Sequence, residues 1–282
     1  MDERRNLRAA SSIHSAPRNV SPNPTKARQG APPLRGGGEW RAFYAELAEP
    51  IPHVSFPLVR SAVSVSEMTR IDAEAIERIG IPRLLLMEHA GLAVARAVQR
   101  LAPSSMPVGI CCGSGFNGGD GLSAARHLHA WKYPVTLMLV GSISRLRAEP
   151  AIYAHVLQQL GLSIVEVTAP ARAQDLERLL RHCGLIVDAL LGIGSREAVR
   201  EPLATLIAAI NRLGKPVVAV DMPSGIDGDT GAVQGVAVKA TLTVALGRPK
   251  QGCFRQEGPA HAGTVVVEPI TIPETVLNAP AY

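Results

Sequence analysis

Hydrophobic positions along this chain follow two alternating rhythms. Behind Ser64 and Glu67, which have capping-box spacing, Met68, Ile71, Ala75, Ile76 and Ile79 recur at helical intervals until Gly80 ends the run. A second helix is predicted from Arg83 to Leu101. Short apolar runs with the length of buried strands follow at Val108–Cys112, Val135–Val140, Ser163–Val167, Leu185–Val187, Val217–Val220, Leu242–Ala245 and Thr264–Val267. Between the first five, helices are predicted at Gly119–Trp131, Glu149–Leu160, Arg172–Arg181 and Pro202–Leu213. Strands alternating with helices in this way predict a doubly wound α/β fold with a mostly parallel sheet. No obvious helix separates the last two strands, which leaves an antiparallel edge open.

Residues 1–38 break the rhythm. They hold five prolines, the Gly36-Gly37-Gly38 run and few large apolar side chains, too little to offset chain entropy by burial. Residues 1–60 are therefore expected to form a disordered or arm-like extension, with Trp40, Phe43 and Tyr44 available for docking, and 61–282 a single domain. Charge divides the same way. The 282 residues carry a net charge of +5, yet residues 1–40 hold seven bases against three acids, leaving 22 bases and 21 acids elsewhere. A balanced body does not suit a polyanion groove, and the basic segment has no aromatic side chain before Trp40 to stack on a base. No nucleic-acid partner is expected. No apolar run approaches the roughly 18 residues that span a bilayer, so no membrane partner is expected either. The start of the chain lacks the apolar core of a secretory signal. A cytoplasmic location is expected, with an organellar transit peptide left open. Cys111, Cys112, Cys183 and Cys253 show no CxxC or Cys/His ligand spacing, which argues against zinc, and the adjacent Cys111 and Cys112 read as small buried thiols.

In a doubly wound sheet, ligands bind beyond the carboxyl ends of the strands. The first strand runs into Gly113-Ser114-Gly115-Phe116-Asn117-Gly118-Gly119-Asp120-Gly121, which contains a literal GxGxxG. A glycine turn feeding a helix offers free backbone N–H groups to an anion. A dinucleotide fingerprint also expects an acid at the end of the second strand, to hold a ribose. Here that strand ends Leu139-Val140-Gly141-Ser142, which argues against an ordinary dinucleotide dehydrogenase. The fourth strand runs into Asp188 and the fifth into Asp221. Each alone reads as a cap. With Asn117 and Asp120 they are better read as one polar site spread over three strand ends.

These residues carry a resemblance to a known family. From about Ser66 to Pro273 the chain resembles the NAD(P)H-hydrate epimerase domain, also called the YjeF N-terminal domain. The matching pieces are Ile81-Pro82 with Leu86-Met87-Glu88-His89-Ala90-Gly91, then Asn117-Gly118-Gly119-Asp120-Gly121-Leu122 with Ala125-Arg126-His127-Leu128. Val187-Asp188-Ala189-Leu190-Leu191-Gly192, Asp221-Met222-Pro223-Ser224-Gly225, and Ala240-Thr241-Leu242-Thr243 with Pro249-Lys250-Gln251-Gly252 complete them.

The resemblance implies a Rossmann-like fold with helices on both faces, often a homodimer. The implied activity interconverts the R and S forms of NADHX and NADPHX, nicotinamide cofactors hydrated at C6 of the reduced ring. A potassium ion is implied, with side-chain ligands at Asn117, Asp188 and Ser224. Implied substrate contacts are Phe116, Asn117, Gly118, Gly119 and Asp120, the loop Gly192, Ile193, Gly194, Ser195, Arg196, Glu197 and Ala198, and Asp221. The family often carries a fused ATP- or ADP-dependent dehydratase; with this chain ending at Tyr282, that activity is expected in a separate protein. Inverting C6 means losing and regaining hydroxide, or opening and closing the ring, and both routes need a placed proton donor and acceptor. Asp221 is the candidate catalytic group, and Gly118 and Gly119 are expected to let the backbone approach the substrate phosphates.

Four positions depart from the family pattern. Phe116 stands where an asparagine is usual, and His89, expected to be buried and hydrogen-bonded, replaces another. Glu197 and Glu201 stand where arginine and glycine are usual, so Arg196 or Arg200 is the candidate for the phosphate contact. Phe116 and Glu197 favour an alternative reading, a catalytically weakened nucleotide-binding or scaffolding module. The intact Asn117, Asp188, Asp221 and Ser224 favour the enzyme.

Overall fold

The computed structural model describes residues 62–195 and 197–278; the extension expected over 1–60 lies outside them. Its helices are α1 (Val65–Ala73), which runs into one π turn at Glu74–Arg78, α2 (Arg83–Leu101), α3 (Phe116–Ala130), α4 (Ala148–Gln159), α5 (Ala173–Leu180), α6 (Leu203–Leu213), α7 (Gly258–Ala262) and α8 (Glu274–Leu277). The strands are β1 (Val108–Cys112), β2 (Val135–Val140), β3 (Ile164–Val167), β4 (Leu185–Ala189), β5 (Val217–Val220), β6 (Leu242–Leu246) and β7 (Thr264–Glu268). The capping box forms as spaced. Ser64 Oγ accepts from Glu67 N at 3.2 Å, and Glu67 Oε2 accepts from Ser64 N at 2.8 Å.

One sheet runs β3-β2-β1-β4-β5-β6-β7, and every pairing is parallel. The antiparallel edge left open by the sequence is therefore corrected. Residues 247–263, with a 3₁₀ turn at Gln251–Phe254 and the short α7, return the chain to the starting end of the sheet, the crossover that parallel pairing requires. The winding reverses between β1 and β4, where a crevice opens. Register levels the rim of that crevice: Cys112 lies opposite Leu139 and Ala189, and Val220 opposite Val244. Gly113, Leu190, Asp221 and the end of β6 thus meet along one edge.

Alternate strand residues feed two cores. Ile110, Cys112, Leu139, Val187 and Val220 pack with α2, α3 and α4, while Cys111, Met138, Ile186 and Val217 pack with α5 and α6. All four cysteines are free and buried. No helix among the described residues is long and apolar enough to cross a membrane.

Helix α3 starts at Phe116, three residues before the expected Gly119. Glycines lower helix propensity, so the segment reads as loop in the sequence, but here they permit close packing. A Cβ on Gly121 would lie 2.5 Å from Ala189 Cβ and 2.8 Å from Cys112 Sγ. Where α2 crosses α3, a Cβ on Gly91 would strike the Ser123 hydroxyl and come within 2.7 Å of Ala124 N. Glu88 of α2 ties the same crossing: it pairs with Arg126, and accepts from Tyr153 OH of α4 at 2.9 Å. Gly91→Ala is expected to destabilise the protein by about 1–3 kcal/mol through overpacking, read as a lower midpoint in urea denaturation. An unchanged midpoint would show that the crossing can spread.

Candidate functional site

A cavity of about 760 Å³ opens above the β1/β4 rim, walled in part by Asp72, Arg83, Asn117, Asp120, Asp221 and Lys250. Beside it lies a cluster of oxygens. Asp188 is fully buried within β4, one residue inside the strand end rather than beyond it. Its Oδ1 accepts from Ser224 Oγ at 2.6 Å and Leu190 N at 3.3 Å, and its Oδ2 from Ser224 N at 2.9 Å. Burial pushes this carboxyl up to about 6, against the pull of those three bonds. Ser224 Oγ in turn accepts from Leu191 N at 2.9 Å. Asn117, in the first turn of α3, donates through Nδ2 to Leu191 O at 2.9 Å, while its Oδ1 is buried without a partner among the described residues. Gly192 makes that approach feasible, since even a bare Cβ there would lie 3.2 Å from Asn117 Cβ. Asn117, Asp188 and Ser224, far apart in sequence, are thus joined through Leu191.

The second cluster is ionic. Asp221 follows β5 in the left-handed region, at φ +67°, a conformation costly for a non-glycine residue and held by its surroundings. Its amide donates to Val244 O at 2.8 Å, and its Oδ1 accepts from Leu246 N at 3.1 Å and from the ammonium of Lys250. Lys250 is 1% exposed and also donates to Leu246 O at 2.8 Å. Both grips fall on Oδ1, which leaves Oδ2 without a hydrogen bond among the described residues. Asp120, three residues after Asn117 on α3, lies in the same cavity. Burial holds its carboxyl well above the usual carboxylate range, the charges of Asp221 and Asp72 add to this, and Lys250 opposes it. Burial also raises Asp72 to about 6, with Lys250 opposing and Asp221 adding.

The remaining expected contacts divide. Phe116 is half exposed and Arg83 places its guanidinium 4.4 Å from the ring centroid, a cation–π stack at the cavity mouth. Gly118 and Gly119 lie behind the wall, with Gly113's carbonyl and the Met87 side chain filling the space where their Cβ atoms would be. Gly192, Ile193, Gly194 and Ser195 line the cavity. Ser195 Oγ donates to Gln234 Oε1 at 3.2 Å and its carbonyl accepts from Gln234 Nε2 at 3.0 Å. Glu197 and Ala198 are exposed outside it, Glu197 pairing with Arg200; Arg196 lies outside the described residues. His89 is exposed, not buried as expected. The neighbours it would need lie on the opposite side of α2, where Leu86, Met87, Ala90 and Gly91 are buried. Sequence reading missed Lys250, Asp72 and Arg83 as site residues.

Fold and site together define a doubly wound α/β protein with a carboxylate-bearing cavity at its topological switch point. The family model described as YjeF-related protein N-terminus matches residues 83–252, and the chain belongs to that family. It is 39% identical over 210 residues to the NAD(P)H-hydrate epimerase of Limosilactobacillus fermentum, covering 74% of this chain and 97% of that protein. To the bifunctional NAD(P)H-hydrate repair enzyme Nnr of Pyrobaculum aerophilum it is 42% identical over 212 residues, 75% of this chain but 42% of the relative. The chain thus spans about two fifths of that bifunctional protein. The crystal structure of the yeast protein ynu0 superposes with a TM-score of 0.65 at 27% identity, covering 75% of this chain and 90% of that one.

Proposed function

We propose that this protein is an NAD(P)H-hydrate epimerase, an isomerase interconverting the R and S forms of NADHX and NADPHX. The observation that carries the reading is the pairing of two unlike carboxyl groups in one cavity. Asp221 is held by an ammonium through one oxygen, its other oxygen having no hydrogen bond among the described residues, while burial and like charge favour the neutral form of Asp120. A carboxyl pushed toward its neutral form, in one cavity with a carboxylate paired to an ammonium, suits acid and base roles. The Asp120 carboxyl gives its proton to the C6 hydroxyl, which leaves as water while the N1 lone pair forms an iminium. Water then adds to the other face of C6, and Asp221 Oδ2 takes the released proton. Asp221 now holds the proton that Asp120 lost. Reversal from the opposite epimer, or exchange with cavity water, restores the starting state.

Free N–H groups of the first turn of α3, which has no side-chain cap, suit the substrate's pyrophosphate. Asn117, Asp188 and Ser224 would hold the potassium ion. The unpartnered Asn117 Oδ1 fits an oxygen-seeking cation, and an all-oxygen donor set with one carboxylate suits a hard monovalent ion. When bound, the ion would supply fixed positive charge at the cavity wall. A dehydratase, as in the bifunctional repair relatives, would consume the product; the homodimer and the cytoplasmic location belong to the same proposal.

The test mixes slowly equilibrating R and S NADPHX with the protein and an S-specific dehydratase. Both epimers are expected to vanish faster than the uncatalysed interconversion allows. If the R epimer drains only at the uncatalysed rate, the protein is a nucleotide-binding module and the epimerase reading is overturned.

A further inference from the structure

A second cavity, of about 610 Å³, lies at the carboxyl ends of β2 and β3 and shares Ser114, Gly115 and Phe116 with the first. The two cavities therefore flank the start of α3. Ser142, Ser144, Arg145 and Arg147 line the second one, with Thr168 from the end of β3. Its charge is one-sided. Neither arginine pairs with an acid among the described residues, and Arg147 is braced by donating to Ser144 O at 3.2 Å and Leu146 O at 2.9 Å. Glu166, which accepts from Ile143 N at 3.0 Å, and Glu149, in the first turn of α4, both lie outside the wall. The Ser142 and Ser144 hydroxyls lie 3.1 Å apart. The start of α4, at Ala148, has no side-chain cap and faces the same space, its N–H groups adding positive potential that Glu149 in the first turn opposes.

The end of the second strand is where dinucleotide sites choose between riboses. An acid there holds a 2′-hydroxyl and repels a 2′-phosphate; an arginine accepts the phosphate. Here the position offers two guanidiniums, two hydroxyls and no acid. We propose that this second cavity takes the phosphorylated ribose on the adenosine side of NADPHX, with Arg145 and Arg147 on the 2′-phosphate, so that the protein favours NADPHX over NADHX. The hydrated ring then reaches the Asp221 cavity while the pyrophosphate crosses the start of α3. Identity of the ring end rests on the proposed function; the phosphate subsite does not.

Two measurements separate these claims. By calorimetry, adenosine 2′,5′-bisphosphate is expected to bind about tenfold or more tightly than adenosine 5′-phosphate, as charged hydrogen bonds allow, and salt should narrow the gap. Arg145→Ala should erase most of it and Arg145→Lys keep part. In turnover, Arg145→Ala should lower the NADPHX-over-NADHX ratio of kcat/KM by a similar factor, mainly through KM for NADPHX. Equal affinity for the two nucleotides, or equal weakening of both substrates in Arg145→Ala, overturns the subsite. Preference for the bisphosphate in a protein that does not epimerise would sink the epimerase reading and leave the subsite standing.

Discussion

Asp221→Asn is expected to slow epimer interconversion by about 10²–10⁴-fold, the usual contribution of a placed acid–base group. The amide keeps the shape of the carboxylate but cannot take a proton from incoming water. The same change strips Lys250 of its counter-ion. Lys250, 1% exposed and hydrogen-bonded among the described residues to Asp221 Oδ1 and Leu246 O, then keeps only the longer-range attraction of Asp72 and Asp120, and breaking a buried pair costs about 3–5 kcal/mol. Lost turnover alone would thus not distinguish chemistry from misfolding. The companion variant Lys250→Met/Asp221→Asn replaces the whole pair with neutral groups and is expected to recover most of the lost stability in thermal denaturation. It should recover none of the rate. A double variant that turns over near the wild-type rate would remove Asp221 from the reaction.

The division between what was legible in the sequence and what was not follows the range of the forces involved. Strand positions were readable because continuous apolar runs are demanded by burial on both faces of a parallel sheet, as at Val108–Cys112 and Val217–Val220. Two failures came from residues that imitate loop punctuation. Glycines placed the start of α3 too late, and a carboxylate after Leu185–Val187 looked like the end of β4 although Asp188 lies inside it. The fully buried acid is tolerated because Leu190 supplies one donor and the distant Ser224 two more, and the Ser224 pair is information no local window holds. Lys250 was the least legible: one charged residue after Pro249 resembles surface, and only the position of Asp221 makes it interior. Asp72, on α1, and Arg83, at the start of α2, carry no local sign of a site; the cavity and Phe116 place them in it. His89 was the reverse case. Its burial was expected from its place in a motif, whereas the periodicity of α2 puts it opposite the buried side.

The oxygen cluster around Leu191 yields the second large effect. A buried amide oxygen without a partner forgoes a hydrogen bond's worth of free energy; Asn117 Oδ1 has none among the described residues, and Leu191 and Ser224 link Asn117 to Asp188, a carboxylate whose charge is disfavoured by burial. One monovalent cation would answer both, satisfying the oxygen and neutralising Asp188; a divalent ion would leave excess charge on a site with a single carboxylate. Thermal denaturation is therefore expected to show the midpoint rising as potassium replaces choline at constant ionic strength. Binding at a hundred times Kd adds about 2.7 kcal/mol, or roughly 5–10 °C for a domain of this size. Asn117→Ala should abolish the response while keeping the Asp188–Ser224 bonds, so it separates ion binding from folding; Asp188→Asn should abolish it too, with a lower starting midpoint. Epimer interconversion should fall in parallel when potassium is withdrawn from the wild type. If Asn117→Ala responds to potassium as the wild type does, the ion does not bind at this cluster.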